Sequence, residues 1–462
     1  MSSTTTSHVV DFIPGRKGGR NALYDGHIYS LNVKRNEKTY WRCNKCPARM
    51  TLCNDTYVNS SAHSHDPQPA DVQVHRAKVD LKRLASTTEN STKRIVADAV
   101  AGLSFESLAR INCDPSSLSR MARRARQKAF SHPVNPTSLE DLILPPSYLR
   151  SAGGDTMLLW DSNYSSNLRR SFLFGTEDNL NILDQSDHLV IDGTFKSAPE
   201  LFTQIFTVHA LHPTGWRIPA AYGLLPGKRQ QMYENVLEEL DSYGPYYPQS
   251  VLVDYEAGIR NAVMKVWPGT TLRGCWFHHK QALYRHLQMD GLQADYMVVD
   301  SPIRKSFAQI GAIPFVPTED VDMAWRFLKP TLPTDMMTFS RYYEDTWIGT
   351  SATDPLYDPA SWNHHDATQM MLPRSSNIAE GWNNGFASLL GCNNPSIWRF
   401  LECMKKEQSL TDMKIAQILT RRPFKRETKW AKFDVELQRI IDDYDNYGDV
   451  LEFLAAVGSK LL

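Results

Sequence analysis

Two aspartates follow closely matching apolar runs at separate places in the chain. In HLVIDGTF the run ends at Asp192, and in SVLVDYEA it ends at Asp254. A buried strand that ends in a carboxylate needs a compensating charge. Two such strands lying side by side would place both carboxylates within reach of one cation, and Mg²⁺ prefers oxygen ligands of this kind. Either aspartate taken alone would more often be a turn or capping residue.

A second group of residues has the types that bind zinc. Cys43 and Cys46 form a C-x-x-C pair, and His63 and His65 follow as H-x-H. Two thiolates and two imidazoles suit a tetrahedral zinc ion. The segments HIYSLNV and KTYWRC read as strands. A module as small as residues 9–66 needs additional stabilisation, such as a bound metal ion. The alternative is two unpaired thiols and two surface histidines.

The elements around the two aspartates predict how these residues are positioned. Besides the two strands that end in aspartate, we expect strands at 201–211, 215–225 and 271–277, and helices at 228–243, 256–266 and 278–288. The order is three strands, helix, strand, helix, strand, helix. That order is typical of the ribonuclease-H-like fold, which is an α/β fold with a mixed five-stranded sheet and flanking helices.

A third carboxylate in that fold comes from a later helix. The best candidate is Glu380 in SSNIAEGWNNGF, although Glu344, Glu319 or Asp366 would also serve on sequence grounds. Residues 290–370 read as a mostly helical insertion ahead of this glutamate. The catalytic domain is therefore predicted at 150–400, and the tail at 401–462 reads as amphipathic helices used for packing or oligomerisation.

A basic helical module is predicted at residues 76–130. Three helices are readable, near 91–101, from Ser104 and from Asp114-Pro115, and the stretch before them, 67–73, reads as a linker. The third helix carries five basic residues, Arg120, Arg123, Arg124, Arg126 and Lys128. Such an arrangement is consistent with a helix-turn-helix that binds DNA. The alternatives are a solvated helix between domains or a nuclear-import signal in RRARQK.

Composition limits the classes of function. The chain has 462 residues, 42% hydrophobic and 22% charged, which predicts several soluble globular modules. Residues 1–130 carry 21 Lys+Arg against 11 Asp+Glu, and the remainder carries 30 against 40. The basic N-terminal part is therefore suited to binding a polyanion. The start, MSSTTTSHVVDF, does not resemble a signal peptide, and we expect no membrane partner. Seven cysteines do not suggest a disulfide framework.

The first module resembles the FLYWCH-type zinc finger. The residues that give the family its name occur in order as Phe12, Leu23, Tyr29, Trp41, Cys43 and His63, and Cys46 and His65 complete the ligand set. The resemblance implies a structural zinc ion and binding of DNA or, sometimes, of protein. Basic residues that could contact phosphates there are Arg16, Lys17, Arg20, Arg42, Lys45 and Arg49.

The body resembles the Mutator-like element (MULE) transposases. The resemblance rests on DGTF, the Asp254 strand, the C-x-x-H of Cys275 to His278, and the late Asn377…Glu380…Asn383. It implies a catalytic triad of Asp192, Asp254 and Glu380 that binds two Mg²⁺ or Mn²⁺ ions. His278 would lie beside that centre and support it, whereas a packed core Cys with a satisfied His is the alternative.

The expected function follows from the two resemblances. The finger and basic helices would recognise terminal inverted repeats in double-stranded DNA, and the body would cleave and join strands in the nucleus as a homo-oligomer. Many relatives carry a Cys/His-rich segment near the C-terminus that this chain lacks. A domesticated, non-catalytic DNA-binding regulator of transcription is therefore the alternative, and a nuclease without strand transfer is a third possibility.

Overall fold

The chain forms two compact units, Met1–Val134 and Asn135–Leu462. The structure is a computed structural model, and it describes residues 9–15, 19–88, 90–129, 133–163, 170–424 and 428–461. Arg16 and Lys17 lie outside the described residues. Each unit has its own hydrophobic core, so each is described by itself.

The first unit begins with an antiparallel sheet whose six strands follow chain order. The strands are β1 (Asp11–Pro14), β2 (Arg20–Tyr24), β3 (His27–Arg35), β4 (Lys38–Cys43), β5 (Arg49–Cys53) and β6 (Thr56–Ser60). Tight turns join β2 to β3 and β5 to β6, and φ is positive at both Asp25 and Gly26 and at both Asn54 and Asp55. Two successive residues with positive φ are the signature of the type I′ turn, whose twist matches that of a hairpin.

The alternation of buried and exposed residues along these strands gives the sheet two different faces. Trp41, Met50 and Leu52 are fully buried and form the small core with Tyr29. The residues between them on β4 and β5, such as Arg42 and Arg49, are exposed. One face therefore packs inward, and the other is available for binding.

Four helices complete the first unit: α1 (Pro69–Thr87), α2 (Thr92–Val100), α3 (Phe105–Ala109) and α4 (Pro115–Ala129). The last three match the predicted helices, but the prediction of a linker at 67–73 is wrong, because α1 begins at Pro69. Leu81 and Ala85 of α1 share a core with Ile95 of α2 and Leu118 of α4. The helix that we missed is thus the one against which the other helices pack.

The second unit is built on a seven-stranded mixed sheet in the order β13-β12-β9-β10-β11-β8-β7. Its strands are β7 (Leu158–Asp161), β8 (Phe172–Phe174), β9 (His188–Thr194), β10 (Gln204–Leu211), β11 (Arg217–Leu225), β12 (Ser250–Val253) and β13 (Thr271–Gly274). The pairs from β9 through β11 to β7 are antiparallel, and β12 is parallel to both β9 and β13. The five predicted strands are present, but β7 and β8 extend the sheet beyond the predicted five.

Helices cover both faces of this sheet. The helices near it are α5 (Glu177–Asp184), α6 (Gln230–Ser242), α7 (Ala257–Val266), α8 (Trp276–Met289), α14 (Asn377–Leu390) and α15 (Ile397–Leu419). Side chains of α6 and α7 pack on Leu189 and Ile191 of β9, whereas Ala379 of α14 packs on Val190 and Leu252. The predicted strand 271–277 ends at Gly274, and its last residues instead begin α8. The helix α15 runs across the expected domain end at residue 400.

The predicted insertion and tail share one helical core. The insertion contains α9 (Gln293–Met297), α10 (Pro302–Ile310), α11 (Val321–Leu328), α12 (Met337–Tyr343) and α13 (His365–Gln369), and the tail contains α16 (Thr428–Asp442) and α17 (Val450–Leu461). Leu437 and Phe453 of the tail are fully buried in the same cluster as Phe307 and Trp325. None of the described helices has the length and apolar character needed to cross a membrane.

Three buried histidines make the second unit sensitive to acid. Burial lowers the pKa of His209 and of His279 to about 3, and it lowers that of His364 well below its usual value. Neither ring nitrogen of His279 has a hydrogen-bond partner among the residues that the structure describes. Each ring is therefore neutral in the folded state and takes up a proton only on unfolding.

We expect the second unit to lose stability as pH falls below about 6.5, the ordinary pKa of histidine. Each histidine whose folded pKa is depressed lowers the free energy of unfolding by about 1.4 kcal/mol for every pH unit below that value, because the unfolded chain binds the extra proton. The measurement is the urea midpoint followed by tryptophan fluorescence, since every tryptophan except Trp41 lies in this unit. His279→Phe should flatten the dependence by one proton, whereas the partly exposed His212→Gln should change it less. A midpoint that is constant between pH 7 and 5 would contradict the expectation.

Candidate functional site

The four predicted zinc ligands form two close pairs in the first unit. Cys43 ends β4, Cys46 lies in the turn that follows, and His63 and His65 follow β6. Cys43 Sγ lies 3.4 Å from His65 Nε2, and Cys46 Sγ lies 3.3 Å from His63 Nδ1. Sulfur and nitrogen ligands of one tetrahedral zinc ion are about 3.6 Å apart, given the usual zinc–ligand distances. Both pairs are therefore close to the separation that zinc requires.

Hydrogen bonds reach both sulfurs, and those at Cys46 favour its thiolate form. The backbone N–H of Lys45 donates to Cys43 Sγ over 3.4 Å. Burial raises the pKa of the Cys46 thiol, but hydrogen bonds from the backbone of Ala48 and Ser64, and with Cys43 and His63, outweigh it and lower this pKa to about 6. Thiolate is the form that binds a metal ion.

The two histidines are oriented by their other ring nitrogens. His63 Nε2 lies 2.7 Å from the Tyr29 hydroxyl, and His65 Nδ1 lies 2.9 Å from the Asp66 carbonyl. His65 Nδ1–H donates to that carbonyl, which leaves Nε2 as the nitrogen that faces the sulfurs. An oxygen partner on the far nitrogen is the usual arrangement for a metal-bound histidine, so this donor set fits zinc.

A fifth residue, His27, lies against this group. Its ring stacks on that of His63 with centroids 3.6 Å apart, and it is only 5% exposed. The ligand atoms of His27, Cys43, His63 and His65 all lie within 4.8 Å of one another. Burial, with His63 and His65, lowers the pKa of His27 and keeps it neutral. The sequence did not indicate His27, because it precedes the C-x-x-C pair and belongs to no recognisable spacing.

The two predicted aspartates lie side by side at one edge of the second sheet. Asp192 is in β9, and Asp254 directly follows β12. The two strands are parallel neighbours in which Leu252 is paired with Val190. Each aspartate is two residues beyond its strand's member of that pair, so both carboxylates emerge at the same end. The arrangement predicted from the two matching phrases is therefore present.

The surroundings of Asp192 disfavour its charged form. Burial raises the pKa of this carboxyl to about 6. Hydrogen bonds from the Gly193 backbone and from Asn383, together with His278, oppose that rise, whereas the neighbouring charge of Asp254 adds to it. Asn383 of α14 donates from Nδ2 to Asp192 Oδ2 over 3.0 Å. The charges of the two adjacent carboxylates repel each other, and a divalent cation bound by both would remove this repulsion.

His278 brings a positive charge to the aspartates. Its Nδ1 lies 3.3 Å from Asp254 Oδ1. A hydrogen bond with the Cys275 thiol raises the pKa of His278 most, and Asp254 and Asp192 add to the effect, so that it reaches about 9 although burial opposes it. The positively charged form of His278 is therefore favoured beside the two aspartates. It faces the aspartates, as expected of a supporting residue.

Cys275 joins β13 to the start of α14. Its Sγ accepts a hydrogen bond from the backbone N–H of Ser376 over 3.3 Å, and Ser376 precedes α14. Among the described residues, no group of three or more possible metal ligands includes Cys275 or His278. The structure therefore gives no support for a second zinc site there. Cys275 instead fixes the beginning of the helix that carries Glu380 and Asn383.

The third predicted carboxylate, Glu380, lies on a helix and not at the end of a strand. Glu380 is half-buried on α14, one turn before Asn383. Among the described residues, Asp192, Asp254 and Glu380 do not offer three carboxylate oxygens, one from each, that all lie within 4.8 Å of one another. Two of the three alternatives are engaged elsewhere, Glu344 with Lys329 at 2.7 Å and Asp366 with His365 at 2.8 Å. The residue of α14 that touches Asp192 is Asn383.

Two exposed arginines of the first unit face each other on neighbouring strands. Arg42 of β4 is paired directly with Arg49 of β5. Like charges in this position repel each other unless an anion lies between them. Lys45, by contrast, is bound to Asp71 and Gln68, and Arg20 is bound to Asp55 at 2.7 Å. Among the described basic residues predicted for the finger, Arg42 and Arg49 are therefore the two best placed to contact a phosphate.

The five basic residues of α4 have different surroundings. The guanidinium of Arg126 donates to the carbonyls of Ala85, Thr88 and Asn90, so it holds the end of α1. Arg120, Arg124 and Lys128 line a groove of about 1140 Å³ together with Lys82 and Arg83 of α1, and Arg123 is exposed outside the lining. Four of the five basic residues of α4 are therefore exposed or line this groove, and Lys82 and Arg83 of α1 line it with them.

Two stretches of the chain match known domains. Residues 188–282 match the MULE transposase domain, and residues 12–65 match the FLYWCH zinc finger domain. The first match includes both aspartates and His278 but ends before Glu380, and the second includes all four predicted zinc ligands. A comparison with curated proteins finds no match to the chain. Both resemblances noted in the sequence are confirmed.

Proposed function

We propose that this chain, a transposase-derived DNA-binding protein with a MULE transposase domain and a FLYWCH zinc finger domain, is a DNA transposase of the Mutator-like class. The proposed reaction is metal-dependent cleavage of DNA at terminal inverted repeats and transfer of the cleaved strand. The observation that carries the proposal is the pair of carboxylates, Asp192 and Asp254, at the same edge of two parallel neighbouring strands.

The strand order supports a ribonuclease-H-like core. Three antiparallel strands, β9, β10 and β11, are followed by β12 and β13, which lie parallel on the other side of β9. Parallel strands bring their carboxyl ends to one edge, and ligands of open α/β sheets bind there. Because β12 pairs with β9, Ser250 and His188 are direct neighbours although they are 62 positions apart in the chain.

Asp192 and Asp254 would hold the catalytic Mg²⁺ or Mn²⁺, with Glu380 as the proposed third ligand. Two such ions, when bound, lower the pKa of the attacking water or 3′-hydroxyl and stabilise the leaving oxygen. Asn383 fixes the orientation of Asp192 by its hydrogen bond to Oδ2. His278, as an imidazolium next to Asp254, offsets the negative charge of the two aspartates and can face a DNA phosphate.

The first unit would recognise the DNA. We propose that zinc bound by Cys43, Cys46, His63 and His65 holds the finger sheet, and that its exposed face contacts phosphates. The helices α3 and α4, joined by a short turn, would add a helix-turn-helix-like contact through Arg120, Arg123, Arg124 and Lys128. Localisation in the nucleus and assembly as a homo-oligomer on DNA are part of the same proposal.

Replacing Arg42 and Arg49 together by alanine should weaken DNA binding and flatten its salt dependence. The slope of log K against log salt should fall by about 1.8, since each lost phosphate contact removes ~0.9. Thermal stability should not fall, because like charges directly opposite each other destabilise a sheet. Lys34→Ala is the matched control, since Lys34 is paired with the buried Thr39 and lies on the other face. An unchanged slope in the double variant would assign the DNA contact to another surface.

A second candidate function is a regulator that binds DNA without cutting it. It is favoured by the three predicted carboxylates, which in the described structure do not offer ligand oxygens that all lie within 4.8 Å of one another. Strand transfer assayed with pre-cleaved inverted-repeat ends, taken from the DNA that flanks the reading frame, separates the two. Joined products that require Mg²⁺ or Mn²⁺ support the transposase. Binding without joining would support the regulator, and cleavage without joining would support a nuclease.

A further inference from the structure

An exposed aromatic ring directly follows the strand that carries Asp192. Phe195 follows β9, three residues after Asp192, and 41% of it is exposed. The ammonium of Lys228 lies over the ring at 3.7 Å from its centroid, close enough for a cation–π interaction. The ring therefore presents one face to a cation, and it is not part of a buried core.

Lys228 connects this ring to the strand that carries the second aspartate. Its Nζ lies 4.0 Å from Glu256 Oε2, and Glu256 is two residues after Asp254. Tyr233 donates to the other oxygen of Glu256 over 2.8 Å and holds that side chain in place. Phe195 and Lys228 thus extend across the ends of β9 and β12, at the edge where the carboxylates emerge.

The loops that flank Phe195 carry basic residues, although the unit as a whole is acidic. Residues 135–462 contain 30 Lys+Arg against 40 Asp+Glu, a net charge of −10. Lys196, Lys228 and Arg229 are nevertheless exposed in the two loops that meet at Phe195. An exposed aromatic ring among cations has the chemistry of single-stranded nucleic-acid sites, where bases stack on rings and cations contact the backbone.

We propose that Phe195 and Lys228 form a platform that stacks an unpaired nucleobase and contacts the adjacent phosphate next to the reacting strand. The inference deepens the proposed function and rests on it. Phe195 would act as a positioning residue, since stacking the terminal base limits the orientations of the phosphate beside it. The occupant is an unpaired DNA end, because a base inside a duplex does not offer its face to a ring.

The test is photocrosslinking with the full-length protein. The probe is a duplex with a short single-stranded 3′ overhang that carries 5-iododeoxyuridine at its first unpaired position. The reaction contains Ca²⁺ and no chelator, so that the zinc finger stays loaded and cleavage does not consume the probe. Mass spectrometry of the adduct identifies the crosslinked residue.

We expect the adduct at Phe195 and a loss of yield of about 5-fold or more in Phe195→Leu, in line with the loss of one stacked base. Phe195→Tyr should retain the yield, and Lys228→Gln should lower the salt slope of overhang binding by about 0.7. Phe327→Leu is the control, since Phe327 is 58% exposed on α11 in the helical insertion.

An equal yield in Phe195→Leu and the wild type would overturn the platform, as would an adduct confined to other residues. The result is separable from that of the proposed function. Crosslinking at Phe195 without strand transfer would leave the platform standing and remove the catalytic proposal. Strand transfer without crosslinking at Phe195 would do the reverse.

Discussion

The Asp192→Asn variant should lose metal-dependent cleavage and strand transfer by ~10³-fold or more and should still bind DNA. Asparagine has nearly the same shape as aspartate and can keep one hydrogen bond to Asn383, so the fold is retained. The negative charge that would bind the catalytic cation is lost. The measurement is the rate of product formation in Mg²⁺ and Mn²⁺, together with the affinity for the same DNA.

The same substitution should stabilise the second unit at neutral pH. The folded pKa of Asp192, about 6, lies above its ordinary value, so the folded state binds this proton more tightly than the unfolded chain. Binding of this proton therefore stabilises the folded state. The stabilisation is fully present below the ordinary pKa and is lost as pH rises to about 6. Asparagine has no such loss. The thermal midpoint of the variant should therefore exceed that of the wild type above pH 6, and the difference should vanish near pH 4.

Asp187→Asn is the matched control for both measurements. Asp187 is exposed just before β9, at the opposite end of the strand from Asp192. It should leave cleavage and the pH dependence of stability nearly unchanged. If Asp192→Asn retains cleavage, Asp192 is not a metal ligand. If it loses DNA binding, the assignment of the site is wrong.

Replacing Cys46 by serine should release zinc and unfold the finger sheet. The free energy of zinc binding to a small structural site is about 10–16 kcal/mol at neutral pH, and it is largely folding free energy. The loss of one of four ligands should remove most of it. We expect metal analysis to find one zinc ion per wild-type chain and none per variant chain. Proteolysis of residues 9–66 should become rapid, whereas the second unit should keep its tryptophan fluorescence.

Two further variants make the zinc experiment specific. Cys53→Ser changes a half-buried cysteine of β5 outside the cluster, and it should retain the ion. His27→Ala should also retain zinc if His27 only covers one face of His63. Release of zinc by His27→Ala would make His27 a ligand and displace one of the four predicted residues. Wild-type protein without zinc would contradict the interpretation of the whole module.

The sequence predicted the parts of the site that depend on short, repeated signals. The matching runs before Asp192 and Asp254 identified two adjacent strands, because a buried strand ending in a charge is an unusual pattern. The four predicted zinc ligands were identified from residue type and spacing, and the structure places them in two close pairs. The contact of Asn383 with Asp192 required the packing of α14 on Val190 and Leu252, which no local pattern reveals.

Other elements were misread for identifiable reasons. Pro67 and Pro69 suggested a linker, but proline is well tolerated in the first turn of a helix, and α1 begins with Pro69. The apolar residues after Gly274 resembled the end of a strand, yet Trp276 begins α8, and its backbone N–H donates to the Arg374 carbonyl. The strand β8 has three residues, too few to show any alternation.

The shared helical core has a genetic consequence. A stop codon ahead of residue 428 would delete α16 and α17, and with them Leu437 and Phe453, which cover Phe307 and Trp325 more than 100 positions upstream. Such a product would expose a broad apolar layer and become a substrate for quality control. The first unit has its own core. A reading frame with such a stop codon could therefore still yield a folded first unit, and this fragment would compete with the intact protein for its proposed DNA sites.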